Sequence, residues 1–170
     1  MPPWLSPADV FVAGLITISL YTDMTKQKIL NVVTFSGMLL GVVANATMGD
    51  ARVGPLGIAA AFLLMFPGFL FFGSIRAGDA KLLMAVGAWL GAGEAIRASL
   101  LTYVLSLPFG LTVLAVKGRL GNIVTVAKAL IKRTAGDKEV EMPEGTVVPF
   151  AIVIALAVLI TRTTEVFKWW

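Results

Sequence analysis

The 170-residue sequence contains no cysteine and no histidine. Without cysteine, the chain has no disulfide, no thiolate metal site and no cysteine nucleophile. Without histidine, it lacks the commonest general base and metal ligand, which argues against a zinc hydrolase or a serine–histidine triad. Carboxylates and lysines are the groups that remain for hydrolytic chemistry.

Charge is also scarce, at 14% of the residues, whereas hydrophobic residues make up 58%. A soluble domain usually has about a quarter of its residues charged. So much apolar surface cannot be buried in a core of this size, and we expect a lipid bilayer to solvate much of the chain. The net charge of +4 is modest and does not indicate nucleic-acid binding.

Six apolar segments predict an all-α, polytopic membrane protein with about six transmembrane helices. They comprise residues 8–22, 30–48, 55–72, 80–92, 95–116 and 147–160. Several are shorter than the ~20 residues of a perpendicular span, so we expect the helices to extend into the flanking residues. Pro67 and Pro108 predict kinks in the third and fifth segments.

The first segment carries a helix start signal, with Ser6 as the N-cap, Pro7 at the first helical position and Asp9 three residues after the cap. No lysine or arginine precedes Lys26. The segment is therefore predicted as a retained span and not as a cleaved signal peptide.

The distribution of cations predicts the orientation of the chain. Ten of the 14 lysine and arginine residues fall in the first, third and fifth connections, namely Lys26, Lys28, Arg76, Lys81, Lys117, Arg119, Lys128, Lys132, Arg133 and Lys138. Because cytoplasmic connections carry the excess of cations, we expect these three in the cytoplasm and both termini outside.

The fifth connection is the one sizeable stretch outside the predicted spans. Apolar residues at helical spacing, with cations opposite, predict a cytoplasmic amphipathic helix over residues 119–133. The acidic stretch 137–144 follows, and its simpler interpretation is a solvated linker. Alternatively, Glu139, Glu141 and Glu144 contact a basic segment of a substrate. No internal repeat or second domain is evident, so residues 1–170 are expected to form a single membrane-embedded domain.

Two aspartates, Asp23 and Asp79, lie where apolar segments meet the predicted cytoplasmic face. A carboxylate at a membrane edge is costly unless it is hydrated, paired or functional. Two neighbouring carboxylates cannot both ionise easily, so one keeps a proton near neutral pH. The ionised group can then activate water while the protonated group donates to the developing oxyanion, without a metal or cofactor.

A purely structural interpretation is also open for each aspartate. Asp23 can neutralise Lys26 in a short loop, and Asp79 can be the N-cap of the fourth span. Lys81 either pairs with Asp79 or anchors its helix at the lipid headgroups. The Gly78-Asp79 dipeptide is a weak signal by itself, because Gly49-Asp50 and Gly136-Asp137 also occur.

The two aspartate blocks together resemble the type IV prepilin peptidase family, in particular its short members from tight-adherence and Flp-type pilus systems. That family has Asp, five residues, then Ile-Pro-Asn; here Asp23 is followed by Ile29-Leu30-Asn31. Its second block is Gly-x-Gly-Asp-x-Lys-Leu, and residues 76–82 read Arg-Ala-Gly-Asp-Ala-Lys-Leu. The sequence Val-Pro-Phe-Ala-Ile at residues 148–152 also resembles the start of the family's last span.

The resemblance implies a membrane aspartyl endopeptidase of the bacterial inner membrane. Such an enzyme cuts basic leaders from prepilins or pseudopilins at the cytoplasmic face. Asp23 and Asp79 would be its catalytic pair, with Asn31, Gly78, Lys81 and Arg76 as supporting residues. The family's separate methyltransferase domain is not expected, because Asp23 and the second span are only a short connection apart.

The departures from the family pattern have physical consequences. Arg76 replaces a glycine and places a cation near Asp79, which is expected to lower the pKa of that carboxyl group.

A non-enzymatic transporter or pilus-assembly subunit, with the aspartates binding ions or protons, is the alternative to a peptidase. A transporter is expected to have paired discontinuous segments and acidic residues near the middle of its spans, which this sequence does not show.

Overall fold

The computed structural model describes residues 6–68, 76–116 and 150–164, and the regular structure in these ranges is helical. The helices are α1 (Pro7–Lys26), α2 (Asn31–Met48), α3 (Val53–Pro67), α4 (Ala77–Leu90), α5 (Ala92–Val116) and α6 (Phe150–Thr163). They follow the six predicted segments and confirm the all-helical fold. Of these helices, α1 and α2 have the length and hydropathy to cross a membrane. Six transmembrane spans remain a prediction, and the predicted helix 119–133 lies outside the described residues.

Helix α1 begins at the predicted signal. The backbone N–H of Ser6 donates to Asp9 Oδ2 at 2.7 Å, and the Asp9 N–H donates to Ser6 Oγ at 3.3 Å. The C-cap of α1 is Gln27, which has a left-handed conformation with φ 51° and donates its N–H to the Asp23 carbonyl at 2.9 Å. The chain therefore turns sharply, and α2 starts four residues later.

Helix α4 lies in the centre of the bundle. It contacts all five of the other described helices. Leu82, Leu83, Ala85, Val86 and Ala88 are completely buried. The first turn of α4 carries Asp79, so the central helix brings this carboxyl group into the middle of one end of the bundle.

Glycines allow α3 to pack closely on α4. A Cβ added to Gly57 would overlap the backbone oxygen of Gly87, and a Cβ added to Gly87 would overlap the backbone of Gly57. Small residues at such crossings are typical of helices that associate in membranes, where van der Waals packing replaces the hydrophobic effect. The two glycines therefore set the distance between these helices.

Side chains that donate to backbone carbonyls join other pairs of helices. Trp89 Nε1 of α4 donates to the Gly37 carbonyl of α2 at 2.9 Å, and Asn45 Nδ2 of α2 donates to the Ala88 carbonyl of α4 at 2.9 Å. The Tyr103 hydroxyl of α5 donates to the Leu64 carbonyl of α3 at 2.8 Å. Helix α3 ends at Pro67, where the sequence predicts a kink, whereas α5 continues through Pro108.

The outward faces of α1, α2 and α3 are apolar. Their exposed side chains include Val10, Phe11, Ile18, Val32, Phe35, Leu39, Leu40, Leu56 and Leu63. Exposed apolar surface of this extent marks contact with lipid or with another protein. The described bundle thus has a polar interior end near the two aspartates and an apolar exterior.

Candidate active site

Asp23 and Asp79 line the same cavity, which has a volume of about 320 Å³. Asp23 belongs to the last turn of α1, and Asp79 is the third residue of α4. Their exposed fractions are only 4% and 3%. Gln27, Lys28, Ile29, Arg76 and Gly78 complete the lining. Two residues 56 positions apart in the sequence are therefore placed together by the packing of α1 against α4.

Asp79 closes the first turn of α4. Its Oδ2 accepts a hydrogen bond from the Arg76 backbone N–H at 2.9 Å, and its own N–H donates to the Arg76 carbonyl at 3.0 Å. The N-cap of α4 is Arg76, so the interpretation of Asp79 as the N-cap is wrong by three positions. The capping contact fixes the carboxyl group against the backbone at the edge of the cavity that Asp79 lines.

Burial raises the pKa of Asp79 to about 7, because the charged form loses its hydration. The hydrogen bond from the Arg76 N–H and the Arg76 charge lower this pKa, whereas the negative charge of Asp23 raises it. Asp79 precedes the apolar segment 80–92 and lies at its edge. The expectation that Arg76 favours ionisation is correct for its own contribution, but desolvation outweighs it and the net shift is upward.

The Asp23 carboxylate is held by the last helix. The backbone N–H of Ala151, in the first turn of α6, donates to Asp23 Oδ2 at 3.3 Å. Helix N-termini suit carboxylates because their first N–H groups lack partners within the helix. The contact joins residues 23 and 151, so it connects α1 to α6. It replaces the interpretation in which Asp23 serves only to neutralise Lys26.

Gly78 permits the close approach of α4 to the α1–α2 connection. A Cβ at this position would lie 3.2 Å from Cβ of Ile29, tighter than nine in ten natural contacts of this kind. The missing Cβ of Gly78 therefore allows α4 to approach Ile29 closely. Arg76 fixes the same connection, because its Nη1 donates to the Gln27 carbonyl at 2.8 Å.

Lys81 and Asn31 contact each other. Lys81 Nζ donates to Asn31 Oδ1 at 2.9 Å and lies 5.0 Å from the centre of the Phe35 ring. The lysine therefore joins α4 to the start of α2, and its hydrogen bond goes to Asn31 and not to Asp79. Neither residue is among those that line the cavity. Their support of the site is the docking of α2 on α4.

Three predicted site residues lie outside the described part of the chain, and two residues that were not predicted line the cavity. Glu139, Glu141 and Glu144 lie outside the described residues, and their contact with a substrate stays a prediction. Gln27 and Lys28 line the cavity although no role was assigned to them; their place inside the Asp23–Asn31 block was the available signal. The described ranges contain no group of three metal-ligating His, Cys, Asp or Glu residues.

Two buried carboxyl groups in one cavity, at the end of a helical bundle with an apolar exterior, form a candidate acid–base site in a membrane protein. The chain belongs to the type IV leader peptidase family, whose family model matches residues 10–111, more than half of the sequence. This membership indicates a peptidase that acts on prepilin-type substrates, and members of the family are membrane proteins. No curated protein and no solved structure matches the chain significantly.

Proposed function

We propose that this protein is an aspartic endopeptidase of the bacterial inner membrane that removes the basic leader from prepilins or pseudopilins at the cytoplasmic face. The observation that carries the proposal is the shared cavity of Asp23 and Asp79 in a chain of the leader peptidase family. Of the side chains that line this cavity, these two are the ones able to serve as a carboxylate base and a carboxylic acid near neutral pH.

The raised pKa of Asp79 supports the following division of roles between the two aspartates. Asp79 carries the proton that the pair shares, and Asp23 supplies the carboxylate. Asp23 takes a proton from a bound water, whose oxygen forms a bond to the scissile carbonyl carbon. Asp79 donates its proton to the carbonyl oxygen and stabilises the tetrahedral intermediate. When the C–N bond breaks, the proton on Asp23 passes to the leaving amine, and one hydroxyl proton of the tetrahedral intermediate returns to Asp79 as the carboxylic acid product forms, which restores the pair. No covalent enzyme intermediate and no cofactor take part.

The position of the cavity suits a substrate with a basic leader and an apolar helix. The cavity lies at the end of α1 and the start of α4 and not midway along them, so a scissile bond just outside a membrane helix can reach the aspartates. The apolar helix of the substrate would approach laterally through lipid. The leader would remain on the cytoplasmic side, and the acidic stretch 137–144 remains the candidate for its recognition.

The test is co-expression of this protein with pilin-like proteins from the same genome. We expect one of these to lose the mass of its N-terminal leader, measured by intact mass spectrometry of the membrane fraction. The matched control is the same substrate expressed alone. A non-enzymatic transporter or assembly subunit would produce no mass change, so an unchanged mass for every candidate prepilin contradicts the proposal.

The rate of cleavage is expected to depend on pH through Asp79. Since the pKa of Asp79 is raised to about 7, its acid proton is lost as the pH rises through that value, and kcat falls. The Arg76 charge lowers this pKa, so Arg76→Gly should move the fall to higher pH. The measurement is kcat against pH for purified enzyme and a fluorescent prepilin.

Arg76→Lys is the control for that experiment, because it keeps the positive charge beside Asp79. Its pH profile should stay close to that of the unmodified enzyme. A fall in kcat at the same pH in Arg76→Gly and Arg76→Lys would show that the acid group is not Asp79 or is not influenced by Arg76.

A further inference from the structure

Helix α6 lies outside the region matched by the family, yet both of its ends contact α1. At its start, the N–H of Ala151 donates to the Asp23 carboxylate, and Ala151 is completely buried. At its end, Arg162 binds Asp9 in the first turn of α1. The two helices are therefore joined at the site and again at the opposite end of the bundle.

The contact at the opposite end has a defined geometry. Arg162 Nε donates to Asp9 Oδ1 at 2.7 Å, and Arg162 Nη2 donates to Asp9 Oδ2 at 2.8 Å. Paired bonds of this kind fix both distance and orientation. Glu94 of α5 lies 3.6 Å from Arg162 Nη1 and is itself bonded to Arg97 at 2.9 Å. The network therefore holds α1, α5 and α6 in one arrangement.

The two contacts are separated by different lengths of helix on α1 and on α6. From Asp9 to Asp23, α1 rises about 21 Å, whereas from Ala151 to Arg162, α6 rises about 17 Å. The long arginine side chain spans the difference. Movement of α6 along α1 would have to break either the paired bonds at Asp9 or the single bond at Asp23. The paired bonds thus set the register in which the Ala151 N–H meets Asp23.

We propose that α6 is a positioning element of the active site. Its Ala151 N–H orients the Asp23 carboxylate toward the water it activates, and Arg162 holds that N–H in place from the opposite end. The inference rests on the proposed function, in which Asp23 is the base. It assigns positioning roles to Ala151 and Arg162, neither of which touches the substrate.

The decisive experiment removes one N–H without changing a side chain. Incorporation of the α-hydroxy analogue of alanine at position 151 converts the Phe150–Ala151 amide into an ester. The same replacement at Ile152 weakens the helix start equally but leaves the Ala151 N–H in place. We expect the ester at 151 to lower kcat about tenfold, because hydrogen bonds to charged groups are the stronger kind. The KM should stay within about twofold, since substrate contacts are unchanged.

A second variant tests the role of Arg162. Arg162→Lys keeps the charge but loses the paired geometry, and it should lower kcat about threefold, in the range measured for exposed ion pairs. Arg52→Lys, an exposed arginine of the α2–α3 connection, is the control and should have no effect. If Arg162 acts through the Ala151 N–H, Arg162→Lys should lower kcat no further in the ester-151 enzyme. Independent, merely structural effects would multiply.

Equal kcat values for the esters at 151 and 152 would overturn the proposal, as would multiplicative losses in the combined variant. Failure of the proposed function is recognised separately, because the unmodified protein would then cleave no prepilin, and failure of Asp23 as the base is recognised because Asp23→Asn would retain cleavage. The Asp23→Asn variant is therefore assayed in parallel with the two ester variants.

Discussion

Asp23→Asn and Asp79→Asn are each expected to reduce leader cleavage by at least about a thousandfold, since asparagine neither accepts nor supplies the proton of acid–base catalysis. The substitution is nearly isosteric. At position 79, an asparagine carbonyl oxygen can still accept from the Arg76 N–H that now lies 2.9 Å from Oδ2. The measurement is kcat/KM for a purified prepilin, together with the amount of folded enzyme extracted in detergent.

Asp50→Asn is the matched control for these variants. Asp50 follows Gly49 as Asp79 follows Gly78, but it is exposed and accepts only a local bond from the Arg52 N–H at 2.9 Å. Full activity is expected for this variant. Cleavage at the unmodified rate by either Asp23→Asn or Asp79→Asn would contradict the proposed pair, whereas loss of folded protein would leave catalysis to be judged from the other aspartate.

Gly57→Ala is expected to destabilise the fold strongly, although it adds only one methyl group. The added Cβ would overlap the backbone oxygen of Gly87, and backbone atoms cannot rotate away as a side chain can. We expect a loss of more than about 3 kcal/mol in the free energy of unfolding, at or above the usual range for overpacking. Thermal unfolding in detergent measures it, with cleavage lost in parallel because α3 supports α4.

Gly14→Ala is the control with the opposite expected sign. A Cβ at Gly14 has no neighbour within 4 Å, and alanine favours the helix by up to about 1 kcal/mol over glycine. Gly14→Ala should therefore unfold at the same or a higher temperature. If Gly57→Ala unfolds at the same temperature as Gly14→Ala, the close packing of α3 on α4 is not as the structure shows.

Sequence reasoning located the helices and both aspartates because their signals are local. Long apolar runs mark helices, and each carboxyl group interrupts one of them. The start of α1 was predicted to the residue, since Ser6, Pro7 and Asp9 act within one turn. The placement of Asp23 and Asp79 on one face followed from counting cations, and their common cavity agrees with it. Catalysis by this pair remains to be tested.

The features that the sequence could not predict depend on three-dimensional packing. Ala151 contributes a backbone N–H, which every residue except proline has, so nothing in its side chain indicates a contact with Asp23. The effect of Arg76 on Asp79 was overestimated because charge is visible in a sequence and burial is not. The close packing of Gly57 on Gly87 likewise joins positions on two helices without a shared motif.

The two walls of the cavity differ in how freely they can change. Asp79 stands on the central helix α4, in which seven of the 14 residues are buried, so a new side chain at any of these positions disturbs a neighbour. The opposite wall is the short connection after α1, where Gln27 and Lys28 are exposed to solvent. Pilus systems that exchange substrates would therefore diversify this connection while the central helix stays as it is, and attempts to retarget the enzyme should begin with these two side chains.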